Sequence, residues 1–193
     1  MRYPPHPLTR PEAQRLIEVA DTGTRHGLRN KAIVTVFYRT GARCNELCSL
    51  KLNDVYPLDD GCMIIRISNP KGYERGAMPR EVGMDTKGAG FVHDYLRVRG
   101  DTQGPLFLTD SGEAVIPSYI RDLLPRLATI AGINRRVHPH CFRHTFAIEM
   151  YKEGVGLLEI MGALGHTSLL TTQKYLRDLG AERVINVTMN RSW

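Results

Sequence analysis

Helix-forming patterns run along most of this chain and are broken once, between Asp54 and Met84, where strand-forming residues take over. Cys62-Met-Ile-Ile-Arg-Ile67 is β-branched and bounded by turn residues, and Pro79-Arg-Glu-Val-Gly-Met84 can pair with it. Between them, Ser68-Asn-Pro-Lys-Gly-Tyr-Glu-Arg-Gly76 reads as a long hairpin connection. Val55 to Leu58 is a candidate third strand. After this small sheet the chain returns to helical patterns. The fold class that follows is mostly α with a small antiparallel β-sheet, α+β in overall type.

The helical stretches carry their own boundaries. Thr9-Arg-Pro-Glu12 matches a capping box with Pro11 in the first turn, opening an amphipathic helix to about Ala20. Asp21 to Gly27 reads as a polar connection. Leu28 to Thr40 contains the apolar run Ala32-Ile-Val-Thr-Val-Phe-Tyr38, a buried helix stopped by Gly41. A short helix from near Arg43 turns Leu47 and Leu50 inward. Further helices are expected at about Gly88–Val98, Pro117–Ile130, Pro139–Glu153, Leu157–Leu164 and Ser168–Leu179.

With 193 residues the chain suits one domain with a real core. Residues 1–7, rich in proline, form an extended lead-in; 8–180 form the domain; 181–193 form a tail with the apolar stretch Val184-Ile-Asn-Val187. No apolar run approaches the ~20 residues needed to cross a bilayer. The first residues lack the apolar stretch of a secretory signal. Four cysteines (Cys44, Cys48, Cys62, Cys141) are too sparse for a disulfide scaffold, so a reducing cytoplasm is expected. A formal charge of +6 favours a polyanionic partner.

The chemistry concentrates in two stretches, Val137-His-Pro-His-Cys-Phe-Arg-His-Thr-Phe-Ala147 and Leu164-Gly-His-Thr-Ser-Leu-Leu-Thr-Thr-Gln-Lys-Tyr175. On a helix starting at Pro139, His140 and Arg143 are three residues apart and share a face. Phe142, Phe146 and Met150 form a different, core-facing stripe. His144 lies between the two. A tyrosine further on, Tyr175, supplies a phenol.

His140-Cys-Phe-Arg143-His144, then Leu164-Gly-His166, then Tyr175, resembles the catalytic core of the tyrosine recombinases, or phage integrases. Thr40-Gly-Ala-Arg43-Cys-Asn-Glu46-Leu47 looks like that family's first arginine box, and Lys71 in Asn69-Pro-Lys-Gly72 resembles its lysine between two strands. The match runs from about Leu8 to Arg177. Phe142 stands where the family usually has leucine, and the hairpin differs from the commoner lysine- and glycine-rich version, with Lys87 the nearest rival lysine. Family members usually carry a separate N-terminal helical domain that closes over DNA. Here only the lead-in precedes the matched region, so the expectation is either an isolated catalytic half or a short member.

The resemblance implies a site-specific recombinase or integrase whose tyrosine phenol attacks a DNA phosphodiester, leaving a 3′-phosphotyrosyl link and a free 5′-hydroxyl. It implies the set Arg43, Lys71, His140, Arg143, His166 and Tyr175, double-stranded DNA as partner, and homotetramers on two DNA sites. It implies neither metal nor nucleotide cofactor, and no membrane. The residue types fit that chemistry. A phenol with pKa ~10 is about 0.1% ionised at pH 7, a deficit of roughly 4 kcal/mol, so Tyr175 needs a base or a cationic setting. His140 is the candidate base. Arg43 and Arg143 can each grip the nonbridging oxygens with a permanently charged fork. His166 would donate a further hydrogen bond, and Lys71 would protonate the departing 5′-oxygen. If residues 168–179 are helical, Tyr175 lies ~13 Å along the axis from His166, with its side chain leaning back toward it. Glu46 reads as a partner that orients an arginine, His144 as a supporting hydrogen-bonder, and His138 as structural or exposed.

Three other functions compete. A zinc hydrolase using His138, His140, His144 and His166 lacks a carboxylate in the cluster and any H-E-x-x-H. A non-catalytic DNA-binding module would keep the basic groove without turnover. A type IB topoisomerase would share the nucleophile and cations but differ in assembly.

Overall fold

The computed structural model describes residues 6–68, 79–166 and 189. Thr9 opens α1 (Arg10–Ala20) through the expected capping box, its hydroxyl accepting from the Glu12 N–H while the Glu12 carboxylate accepts from the Thr9 N–H at 2.8 Å. Next, α2 (Arg25–Thr40) starts before its apolar run, because the Thr24 hydroxyl accepts from the Gly27 N–H and caps it. The polar connection therefore ends at Thr24 rather than Gly27. At the other end α2 stops at Gly41, whose φ of 58° is left-handed. Only glycine fits there, since a Cβ would stand 2.9 Å from Phe146 Cδ1 and 3.0 Å from Leu164 Cδ2. The tight exit feeds α3 (Cys44–Ser49), with Leu47 and Leu50 buried.

The break in helical patterning is a three-stranded antiparallel sheet of β1 (Val55–Pro57), β2 (Met63–Ile67) and β3 (Arg80–Met84), in that order. Ile65 stands opposite Val55 on one side and Val82 on the other. Alternation places Met63, Ile65 and Ile67 of β2, and Arg80, Val82 and Met84 of β3, on the buried side. The hairpin that joins β2 to β3, Lys71 included, lies outside the described residues.

Four more helices follow: α4 (Thr86–Arg99), α5 (Pro117–Ile130), α6 (Pro139–Lys152) and α7 (Leu157–Leu164). The first begins two residues ahead of the expected start because the Asp85 carboxylate accepts from the Gly88 N–H and caps it. The main core gathers side chains from α1 to α6 and the sheet, including Phe37, Ile65, Tyr95, Leu123 and Phe142. A second, smaller cluster of Val82, Phe146, Ala147, Ile160 and Leu164 ties β3, α6 and α7 together. Burying it fixes the end of α7 against the middle of the fold. No described helix is long and apolar enough to cross a membrane. The expected helix over 168–179, Tyr175 and, apart from Met189, the tail over 181–193 lie outside the described residues.

Candidate functional site

A helix ends with carbonyl groups that have no intrahelical partner and with the negative pole of its dipole. At the C-terminus of α7 these carbonyls are taken by three arginines from three different elements. The Arg80 Nε of β3 donates to Ala163 O at 2.7 Å, the Arg143 Nη2 of α6 to Leu164 O at 2.5 Å, and the Arg43 Nη2 to Gly165 O at 3.1 Å. Gly165 makes this possible: it ends α7 with a φ of 62°, and a Cβ on it would stand 2.8 Å from Arg80 Nη1. Immediately after it comes His166, whose N–H donates to Met161 O at 3.0 Å.

Arg43 is placed by a helix cap. It is the residue before α3, and the Glu46 carboxylate reaches back to accept from its N–H at 2.8 Å and from its Nη1 at 2.6 Å. The same carboxylate accepts from Arg80 Nη2 at 2.7 Å and Nη1 at 3.3 Å. Glu46 therefore joins two guanidiniums, as expected of a partner that orients an arginine rather than acting as an acid. Burial alone would raise its pKa, but the bonds and charge of Arg80, then Arg43, bring it down to about 2. Arg143 is held from the other side, its Nη1 donating to Gly41 O at 2.8 Å.

Among the described residues, three guanidiniums and one carboxylate meet beside the end of α7, so positive charge outnumbers negative there. His166 registers that field. Its ring is buried, and desolvation, then the charges of Arg143, Arg43 and Arg80, lower its pKa to about 3 despite Glu46. His166 is consequently neutral at physiological pH, able to donate one ring N–H but unable to serve as a proton reservoir. A site with excess positive charge and a neutral imidazole donor can bind a phosphodiester and stabilise charge building on it.

The two α6 residues expected to share a face differ in depth. Arg143 is buried, whereas His140, in the first turn, is exposed and stands edge-on to His138 with ring centroids 6.1 Å apart. His138 is pushed below the ordinary histidine value by burial, then by the charges of His140 and Arg136. His144 is buried. Lys87 sits in the first turn of α4 and lines a cavity of about 330 Å³ with Arg10, Tyr38 and Arg39, whose lining includes none of Arg43, Arg143 or His166. Among the described residues, no three His, Cys, Asp or Glu side chains are grouped to hold a metal ion, so His138, His140, His144 and His166 do not form the cluster a zinc reading needs. Arg80 is the site residue that sequence reasoning missed. The available sign was its place in the row Arg80, Val82, Met84, which period two assigns to the buried face.

Comparison with known proteins bears on the family and the fold. Residues 7–182 match the model of the Phage integrase family. A tyrosine recombinase XerC of Thermodesulfovibrio yellowstonii is 33% identical over 177 residues, covering 87% of this chain and 56% of the relative. A tyrosine recombinase XerA of Pyrococcus furiosus is 34% identical, covering 90% of this chain and 57% of the relative. The chain thus spans little more than half the length of these curated relatives. Among solved structures, a XerA recombinase superposes over 100% of this chain and 68% of its own, with a TM-score of 0.81 and 32% identity. A XerH site-specific recombinase bound to palindromic difH substrate, in a post-cleavage complex, superposes with a TM-score of 0.79 and 26% identity over 97% of this chain and 54% of its own.

Proposed function

This chain belongs to the phage integrase family, and from that membership we propose that it cuts and rejoins DNA strands at specific sites through a 3′-phosphotyrosyl intermediate on Tyr175. The observation that carries the proposal is the meeting of Arg43 and Arg143 with His166 at the end of α7. These residues are far apart in sequence, and the fold brings them to one place with a net positive charge.

In the proposed step the Tyr175 oxygen forms a bond to phosphorus and the bond from phosphorus to the 5′-oxygen breaks. The phenolic proton passes to His140, and the leaving 5′-oxygen takes a proton from Lys71. Arg43 and Arg143 neutralise the nonbridging oxygens, which carry the charge of the transition state. His166 adds a neutral hydrogen bond to the same phosphate. The protein–phosphate ester keeps the energy of the broken bond, so a 5′-hydroxyl can reverse the step without ATP.

Residues 8–180 act as the catalytic domain, and residues 181–193 as a segment passed to a neighbouring subunit in tetramers on two duplexes, with Val184, Ile185 and Val187 buried by the partner. The setting is cytoplasmic, where the DNA substrate is met.

The test is a nicked suicide duplex incubated with the protein in EDTA. A denaturation-resistant protein–DNA adduct should form with the wild type and not with Tyr175→Phe. A wild type that leaves the DNA unmodified would remove the catalytic reading.

A further inference from the structure

Arg80 has a side chain that forks three ways inside the protein. It occupies the first residue of β3, opposite Ile67. An arginine on the buried side of a strand costs free energy unless its donors are matched. Here they are matched by the two oxygens of Glu46 and by Ala163 O, and the residue keeps only 8% of its surface.

Each of its partners is tied to a residue of the proposed chemistry. Glu46 fixes the backbone and side chain of Arg43. Ala163 is followed by Leu164 and Gly165, whose carbonyls hold Arg143 and Arg43, and then by His166. We infer that Arg80 is a positioning residue for the strand-transfer site, locking the end of α7 to Glu46 so that Arg43 and His166 present one fixed arrangement to a phosphate. The inference rests on the functional reading above and extends it to a residue that does not touch the DNA. Without Arg80, one oxygen pair of Glu46 loses its second guanidinium and draws Arg43 inward, and Ala163 O at the end of α7 loses its cap.

Lysine keeps the charge of Arg80 but cannot reach Glu46 and Ala163 O together, because an ammonium is a point charge and not a fork. Arg80→Lys is therefore the informative variant, with Glu46→Gln as the second, which cuts the same link from the other side. Single-turnover cleavage of the suicide duplex at saturating protein, normalised to the folded fraction, should fall about tenfold or more in both, since displacing a catalytic group by ~1 Å can cost ~10²-fold. DNA affinity should stay within about twofold, because all three side-chain nitrogens of Arg80 are already engaged by Glu46 and Ala163 O. Combining the two variants should cost little beyond either alone, as expected of one shared linkage. If Arg80 merely props up the fold, the folded fraction cleaves at the wild-type rate, and the inference is overturned.

A wild type that forms no adduct overturns the functional reading instead. The arginine Nε–Hε and histidine ring resonances, recorded without DNA, separate the two failures. Arg80→Lys should shift the signals of Arg43 and His166 while leaving those of Arg29, which bonds Leu108 O and Tyr119, in place. Unmoved Arg43 and His166 signals would overturn the positioning role even in an active enzyme.

Discussion

His166 carries the most direct chemical consequence at the level of single residues. Folding lowers its pKa from 6.5 to about 3, so the folded protein refuses a proton that the unfolded chain accepts. Its contribution to stability is complete above pH ~6.5 and is lost as the pH falls from there toward 3, by up to about 1.4 kcal/mol per pH unit. Glu46 works in the same direction but lower, between its ordinary 4.5 and about 2, so it contributes nothing to the change above pH ~5. His138, also lowered, adds to the upper window with the same sign. Denaturant midpoints measured from pH 7 to pH 5 should decline for the wild type and decline less steeply for His166→Gln. Equal slopes would mean that the imidazole is solvated and not set among the arginines. The same neutrality limits its part in catalysis to donating a hydrogen bond.

Among the elements, the end of α7 is where sequence and structure diverge most usefully. The helices and the sheet were legible because their signals are local: the Thr9 box, Gly41 after an apolar run, and β-branched residues from Cys62 to Ile67. Starts were misjudged where a polar cap precedes the apolar pattern, as at Thr24 and Asp85. Arg43 and Glu46 were readable as a pair because a cap relates them at a fixed spacing of three. Arg80 was not, because its partners come from α3 and α7, and nothing within the strand announces them. Gly165 shows the dependence in reverse: its φ of 62° is left-handed, and a Cβ built on it would stand 2.8 Å from Arg80 Nη1, so a side chain there is strained and pushes that arginine aside. Gly165→Ala should therefore destabilise the protein by about 1–3 kcal/mol, visible in chemical denaturation. It should also slow adduct formation by displacing the arginine that caps Ala163. A variant with wild-type stability and rate would show that the end of α7 yields freely.

For the whole molecule, the placement of the cores decides which parts the fold can lose. Every residue of the two described clusters lies between Leu8 and Leu164, and the carbonyls that gather the arginines end at Gly165. The tail over 181–193 is described only at Met189, whose side chain is exposed. It is nonetheless apolar at Val184, Ile185 and Val187, in a chain whose charge of +6 disfavours close approach of its copies without a specific contact. Burying three such side chains in a neighbour would yield roughly 1.5–3 kcal/mol each, enough to offset that repulsion when two duplexes bring subunits together. Truncation after Gly180 should leave the thermal transition of the isolated protein nearly unchanged, while pairing of two DNA sites, followed by gel shift or light scattering, weakens at least tenfold. Loss of the cooperative thermal transition would instead assign the tail to the protein's own core, and undiminished pairing would place the subunit contact elsewhere.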